Sequence, residues 1–168
     1  MTHASCSTSK FPLPLLALDV GKKRIGIAVS DSLGISTRGI ACLHRNDKQW
    51  PQQTLKLIQE YGCLGIVIGV ARNMDGSEGV QAKDCRSAAK ELGKQTPLPI
   101  FFQDERLSSW TAKERLFAQG LSEKKVIEKL DQTAAAVILE DYIAHQKTIH
   151  QAATEKTPQT HKAEHRHE

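Results

Sequence analysis

Three carboxylates stand where a folding chain does not place them casually. Asp19 follows the apolar run Leu15-Leu16-Ala17-Leu18. A lone buried carboxylate is costly, so such a residue is paired, bound to a metal or turned into a cleft. The competing reading is a turn residue, because Asp shortly before Gly21 is common turn chemistry. On the residues alone both stand. Glu105 lies just past an expected strand, in Phe101-Phe102-Gln103-Asp104-Glu105-Arg106. A solvated loop, with Glu105 paired to Arg106 or Asp104 capping the next helix, is the stronger reading of that stretch by itself. Asp131 shares a helical face with Ala135, Ile138 and Tyr142, the face that should pack on a sheet. Asp is also a good N-cap, although a reciprocal capping box would want Glu or Gln at position 134, where Ala134 stands.

Acids from two strand ends and one helix are what a divalent-cation site needs. Hard cations such as Mg²⁺ take oxygen ligands and bind through a few carboxylates plus substrate phosphates. Two such ions activate a water and stabilise the leaving oxygen in phosphodiester hydrolysis. No histidine or cysteine sits in these motifs, which argues against a zinc hydrolase. A Ser-His-Asp arrangement lacks support too, since five of the histidines fall from His145 onward. Lys22, Lys23, Arg24, Arg72 and Arg106 surround the acids in turns or at strand ends. Cations there could hold a phosphate backbone, or simply be solvated. Asn73-Met74-Asp75-Gly76-Ser77-Glu78-Gly79 is a turn-rich loop leading into a helix. It either contacts substrate at the helix N-terminus or is an ordinary connection.

The periodicity supplies the elements that position these groups. Leu15–Val20 reads as a central strand, Gly21-Lys22-Lys23 as a tight turn, and Arg24–Ser30 as a second strand. Ile35–Leu43 is a third, and the short connections favour an antiparallel meander. Trp50-Pro51 opens a helix to about Tyr61. A buried strand over Leu64–Val70, a helix over Gly79–Leu92, a strand over Leu98–Phe102 and helices near Ser108–Gln119 and from Asp131 to about His145 complete the series. A meander followed by alternating helix and strand predicts an α/β protein, with a five-stranded mixed sheet flanked by helices.

The chain has 168 residues with 39% hydrophobic, 25% charged and 5% aromatic, an aliphatic composition that excludes collagen-like, disordered and membrane classes for its body. No apolar run approaches the ~20 residues a span requires. The formal charge of +4 permits a nucleic-acid partner without establishing one. The four cysteines form no C-x-x-C pair, so a reduced, cytoplasmic protein is expected. Residues 1–12 read as a flexible arm, 13–146 as the working domain, and 147–168 as a disordered polar tail whose histidines could hold a metal weakly.

Four ordered motifs carry a resemblance. Leu18-Asp19-Val20-Gly21-Lys22-Lys23-Arg24 running on to Ser30-Asp31, the loop Asn73–Gly79, Asp104-Glu105-Arg106-Leu107-Ser108, and Asp131 with Ala134-Ala135 are together similar to the YqgF/RuvX family. The similarity runs from about Leu15 to Ile143. One departure is Val70-Ala71-Arg72, where members typically carry Leu-Pro-Leu before the Asn, which alters the rigidity of that loop and adds a charge. The resemblance implies a ribonuclease H-like fold. It also implies a nuclease processing the 5′ end of the small-subunit (16S) ribosomal RNA precursor in ribosome biogenesis; members were earlier regarded as Holliday junction resolvases. By position the family's acidic site falls on Asp19, Glu105 and Asp131, which raises Glu105 above its solvated-loop reading.

The expectation is therefore a Mg²⁺- or Mn²⁺-dependent endonuclease. Asp19, Glu105 and Asp131 would ligate the ions, and Lys22, Lys23, Arg24, Asn73 and Arg106 would lie against nucleic acid. A junction resolvase on DNA would need a homodimer with two active sites, and no interface is legible. A non-catalytic RNA-binding assembly factor is a third reading. An actin-like ATPase is set aside, because two such domains would be needed. Choosing RNA over DNA rests on the resemblance, since no feature here reads a 2′-hydroxyl.

Overall fold

A computed structural model describes residues 11–73, 75–105 and 108–155. The meander forms as the short connections require. β1 (Leu15–Val20) pairs antiparallel with β2 (Arg24–Ser30), and β2 with β3 (Thr37–His44). α1 (Trp50–Tyr61) then carries the chain over to β4 (Gly65–Val70), which lies parallel to β1. α2 (Val80–Gly93) makes the next crossover, to β5 (Ile100–Asp104), parallel to β4. The sheet order is β3-β2-β1-β4-β5, five strands and mixed.

Strand parity divides the side chains between two faces. One face carries Leu16, Leu18, Val20, Ile25, Ile27, Ile66 and Ile68, which bury against Trp50 and Ile58 of α1 and Ala88 and Leu92 of α2. The central strands are covered on both sides, which explains why β1 and β4 read as unbroken apolar runs. α1 starts with Pro51 in its first turn and stops at Gly62, whose φ of 62° lets its N–H reach back to the carbonyls of Gln59 and Ile58.

The opposite face carries Leu15, Ala17 and Val67 and is covered by α4 (Glu123–Glu155), through Ile138, Leu139, Tyr142 and Ile143. α3 (Ser108–Ala118) stacks on the flank of α4, with Ala112 against Ala134 and Val137. Small residues set how closely α4 approaches. Ala28 meets Ala135 and Ala136. A Cβ on Gly26 would lie 2.0 Å from the Asp131 carbonyl oxygen, and one on Gly39 would lie 2.8 Å from the Cβ of Gln132. The helix therefore rests directly on the backbone of β2 and β3.

The last helix differs most from expectation. It begins at Glu123, two turns before Asp131, and runs past Lys147 to Glu155. The polar composition after Lys147 is held in helix by tertiary contacts. The Lys147 ammonium donates to the Gly34 carbonyl at 2.5 Å, and the His150 ring stacks on Phe11 at 5.8 Å. Phe11 is itself buried, so the end of the expected arm belongs to the core. The other arm residues, 1–10, and the rest of the tail, 156–168, lie outside the described residues. Among the described residues no helix is long and apolar enough to cross a membrane.

Candidate active site

The antiparallel register puts Asp19, Gly26 and Cys42 opposite one another in one row across β1, β2 and β3. Because Gly26 lies beneath the Asp131 backbone, this row faces α4. Asp19 thus points into the cleft between the sheet and the helix, near Asp131. Neither turn nor cap readings survive here. The turn after β1 is closed by the Gly21 N–H on the Arg24 carbonyl at 2.9 Å, and Asp131 lies inside its helix instead of capping it.

Glu105 arrives from the far side. Its N–H donates to the Val70 carbonyl at 3.1 Å, holding the chain beyond β5 against β4. Its carboxylate then lies over Gly69, where a Cβ would meet Oε2 at 2.0 Å and Ile138 Cδ1 at 2.6 Å. Gly69 follows Ile68, the partner of Leu18 in the β1–β4 ladder, just as Asp19 follows Leu18. Glycine at 69 leaves the room beside Asp19 that the third acid occupies.

The electrostatics report the same convergence. The Asp19 carboxyl is pushed up to about 8, chiefly by burial, then by the negative charges of Glu105 and Asp131. Asp131 is held from the open side by Arg24, whose Nε stands 2.7 Å from Oδ2. The Cys42 thiol also reaches that oxygen, at 3.6 Å, and burial followed by the Asp131 charge raises its pKa.

The remaining expected residues fall in two groups. Lys22 and Lys23 are exposed on the β1–β2 turn, at the mouth of the cleft. Lys23 also accepts the Arg45 N–H at 2.8 Å, which ties the end of β3 to the turn. Asn73 is exposed in the loop after β4 and spends its side-chain amide on Ser77 Oγ at 3.0 Å. Asp75 closes the same loop by accepting the Ser77 N–H at 2.9 Å. Arg106 lies outside the described residues. Two residues absent from the expected set lie on β3 beside the site. Cys42 touches Asp131, and His44 is the register partner of Arg24. Their signal is the pairing register of β3, which an irregularity between Ile27 and Ala28 shifts.

Among the described residues, no three His, Cys, Asp or Glu side chains stand close enough together to hold a metal ion as they are. The donor chemistry nonetheless fits a hard divalent cation. All three acids offer carboxylate oxygens. A cation would offset the like-charge crowding that raises the Asp19 pKa. Asp131 would have to turn from Arg24 toward Asp19.

A mixed five-stranded sheet opening on an antiparallel meander, with an acid from its first strand facing an acid from the last helix, defines a ribonuclease H-like protein. The solved RuvC of Thermus thermophilus in complex with a Holliday junction superposes with a TM-score of 0.50 over 80% of this chain and 96% of that chain, at 11% identity, a likeness of fold. Residues 14–145 match the family described as RuvX: Holliday junction resolvase, and the chain belongs to that family. A relative in Paracoccus denitrificans is 43% identical over 124 residues, covering 73% of this chain and 78% of its own length. One in Moorella thermoacetica is 38% identical over 130 residues, 77% of this chain and 93% of the relative. Both carry the name "Putative pre-16S rRNA nuclease".

Proposed function

We propose that this protein is a divalent-metal-dependent endonuclease that hydrolyses phosphodiester bonds near the 5′ end of the small-subunit ribosomal RNA precursor, in the cytoplasm. The observation that carries the reading is the placement of three acids about one cleft: Asp19 lies opposite Gly26 beneath the Asp131 backbone, and the Glu105 carboxylate lies over Gly69 on the neighbouring strand; the raised pKa of Asp19 accords with it. Burial and like charges that perturb carboxyls in a cleft are a recognised feature of working sites. The names of the relatives support RNA as the substrate.

Asp19, Glu105 and Asp131 would hold Mg²⁺ or Mn²⁺, which supplies an activated water and charge neutralisation at the leaving oxygen. Asp19 is fixed by its place in the central strand, so the ligand that moves is Asp131. Arg24, released from Asp131, would be free to hold a substrate phosphate. Its fork of donors suits either. Lys22, Lys23, Asn73 and Arg106 would steady the strand on either side of the cleft.

A second reading takes a four-way DNA junction in the same site, acting as a homodimer, and is favoured by the family's own description. One panel separates the two. Wild type and Asp19→Asn are incubated in Mg²⁺ or Mn²⁺ with precursor ribosomal RNA, generic single-stranded RNA and a four-way DNA junction. Cutting of RNA that disappears in the variant supports the nuclease and its acids together. Cutting of the junction alone promotes the second reading. Cutting shared by both proteins refutes the assigned site, and absence of cutting by either refutes the nuclease.

A further inference from the structure

Beyond the acids, α4 continues along the open edge of the sheet, and a cleft of about 360 Å³ lies between β3, α3 and that helix. Its lining suits a sugar-phosphate backbone. Thr37, Gln119, Gln132 and Thr133 offer hydroxyls and amides, and Arg115 and Lys129 offer cations. These are the side chains that contact phosphate and sugar in nucleic-acid complexes. Among the described residues its lining includes no aromatic ring on which a base could stack. Its floor is Gly39, packed against Gln132, and Gln132 directly follows Asp131. The cleft therefore begins one residue along α4 from Asp131, on the outer side of the close seat of that helix on β2 and β3.

The cations are available in different degrees. Lys129 is exposed and has no ion-pair partner among the described residues. Arg115 pairs through one nitrogen with Glu140 at 2.8 Å, and Glu140 in turn accepts from Thr37 Oγ1 at 2.9 Å. That chain of contacts joins α3, α4 and β3, and so fixes the width of the cleft at one end. It also leaves other donors of the Arg115 guanidinium for a ligand.

We propose that this cleft is a backbone-anchoring subsite, which binds phosphates of the nucleic-acid strand to one side of the cleaved bond, without reading its sequence. The proposal rests on the nuclease reading for its substrate. The lining residues of α4 run from Lys129 to Glu140, about 16 Å at 1.5 Å per residue. A strand long enough to leave the acids and enter the cleft gains the anchor, whereas a very short one does not.

The test measures binding separately from cleavage. Fluorescence anisotropy in chelator follows a twelve-nucleotide and a four-nucleotide single-stranded RNA across a salt series. The proteins are wild type, Lys129→Ala, and Lys56→Ala, an exposed lysine beside the separate cavity between α1 and the α2–β5 connection. Lys129→Ala should weaken binding of the long strand about fivefold and flatten its log–log salt slope by about 0.7, the change expected for one lost phosphate contact. Lys56→Ala should match wild type on both lengths. In Mg²⁺, Lys129→Ala should raise KM for the long strand and leave kcat unchanged. An unchanged salt slope for Lys129→Ala, or an equal loss of binding by Lys56→Ala, overturns the anchoring subsite. If wild type cuts no RNA but the binding pattern holds, the nuclease reading falls and the subsite stands.

Discussion

Gly26→Ala is the sharpest perturbation of the proposed site, because the added methyl is small and what it meets cannot rotate away. The new Cβ would lie 2.0 Å from the Asp131 carbonyl oxygen, 2.2 Å from its carbonyl carbon and 2.8 Å from the Gln132 nitrogen. All three are backbone atoms. Restoring a contact of about 3.4 Å requires β2 and α4 to separate by more than 1 Å at that point, and overpacking of this kind costs about 1–3 kcal/mol. For a chain of this size each kcal/mol lowers Tm by about 2–4 °C, which gives a loss of roughly 2–12 °C. The same separation lifts Asp131 away from Asp19. A misplacement of about 1 Å at a catalytic group costs about 100-fold in rate. Circular dichroism melting gives the first quantity, and cleavage at saturating RNA the second. Gly93→Ala is the matched control, since its Cβ would find only Ile100 Cδ1 at 3.7 Å and its backbone needs no positive φ. That variant should be neutral, or more stable by about 0.4–1 kcal/mol. If Gly26→Ala melts with wild type and cuts at the wild-type rate, the close seat of α4 does not position Asp131 and the reasoning fails.

The other expectations concern charge and core. The Asp19 carboxyl is raised from 3.8 to about 8 in the fold, so the unfolded chain releases this proton first, and stability should decline as pH rises from about 4 to about 8 in chelator, then level off. Asp19→Asn should remove that decline and be the more stable protein at pH 8, and a parallel slope in the two proteins would contradict the burial. Arg24→Ala should change stability by less than about 1 kcal/mol, because the pair with Asp131 is 41% and 24% exposed. The variant should bind Mn²⁺ more tightly in calorimetry and RNA more weakly; unchanged Mn²⁺ affinity would show that Arg24 does not compete for Asp131. Trp50→Ala removes a ring that is 2% exposed and lies beneath the Arg45 guanidinium at 5.1 Å. Urea unfolding should show a loss of about 3–5 kcal/mol, and a loss below 1 kcal/mol would mean that the α1 face of the sheet contributes little.

What could be read in advance follows from physical range. The apolar runs of β1 and β4, the tight turn at Gly21 and the Pro51 start of α1 are local signals, and each element formed within a few residues of where its pattern placed it. Asp19 was legible because a charge interrupts a buried strand. Glu105 was not legible without its family likeness, since its place depends on room left by Gly69 on another strand. The length of α4 was missed for a similar reason. Its ends carry few apolar residues, and contacts from Phe11 and Gly34 support the later turns. Cys42 reaches the row of Asp19, and His44 the position opposite Arg24, only through the register of β3, which no short window of sequence encodes.

The last described helix supplies the last acid, and that has a consequence for when the protein becomes active. Asp19 is made early and sits in the first strand, yet its partner Asp131 follows every strand of the sheet. With synthesis at about 5–20 residues per second, the interval between them is roughly 5–20 s. Throughout that interval the emerging chain holds an incomplete acidic set. On the proposed site, the acidic set is completed only when α4 docks across Gly26 and Gly39.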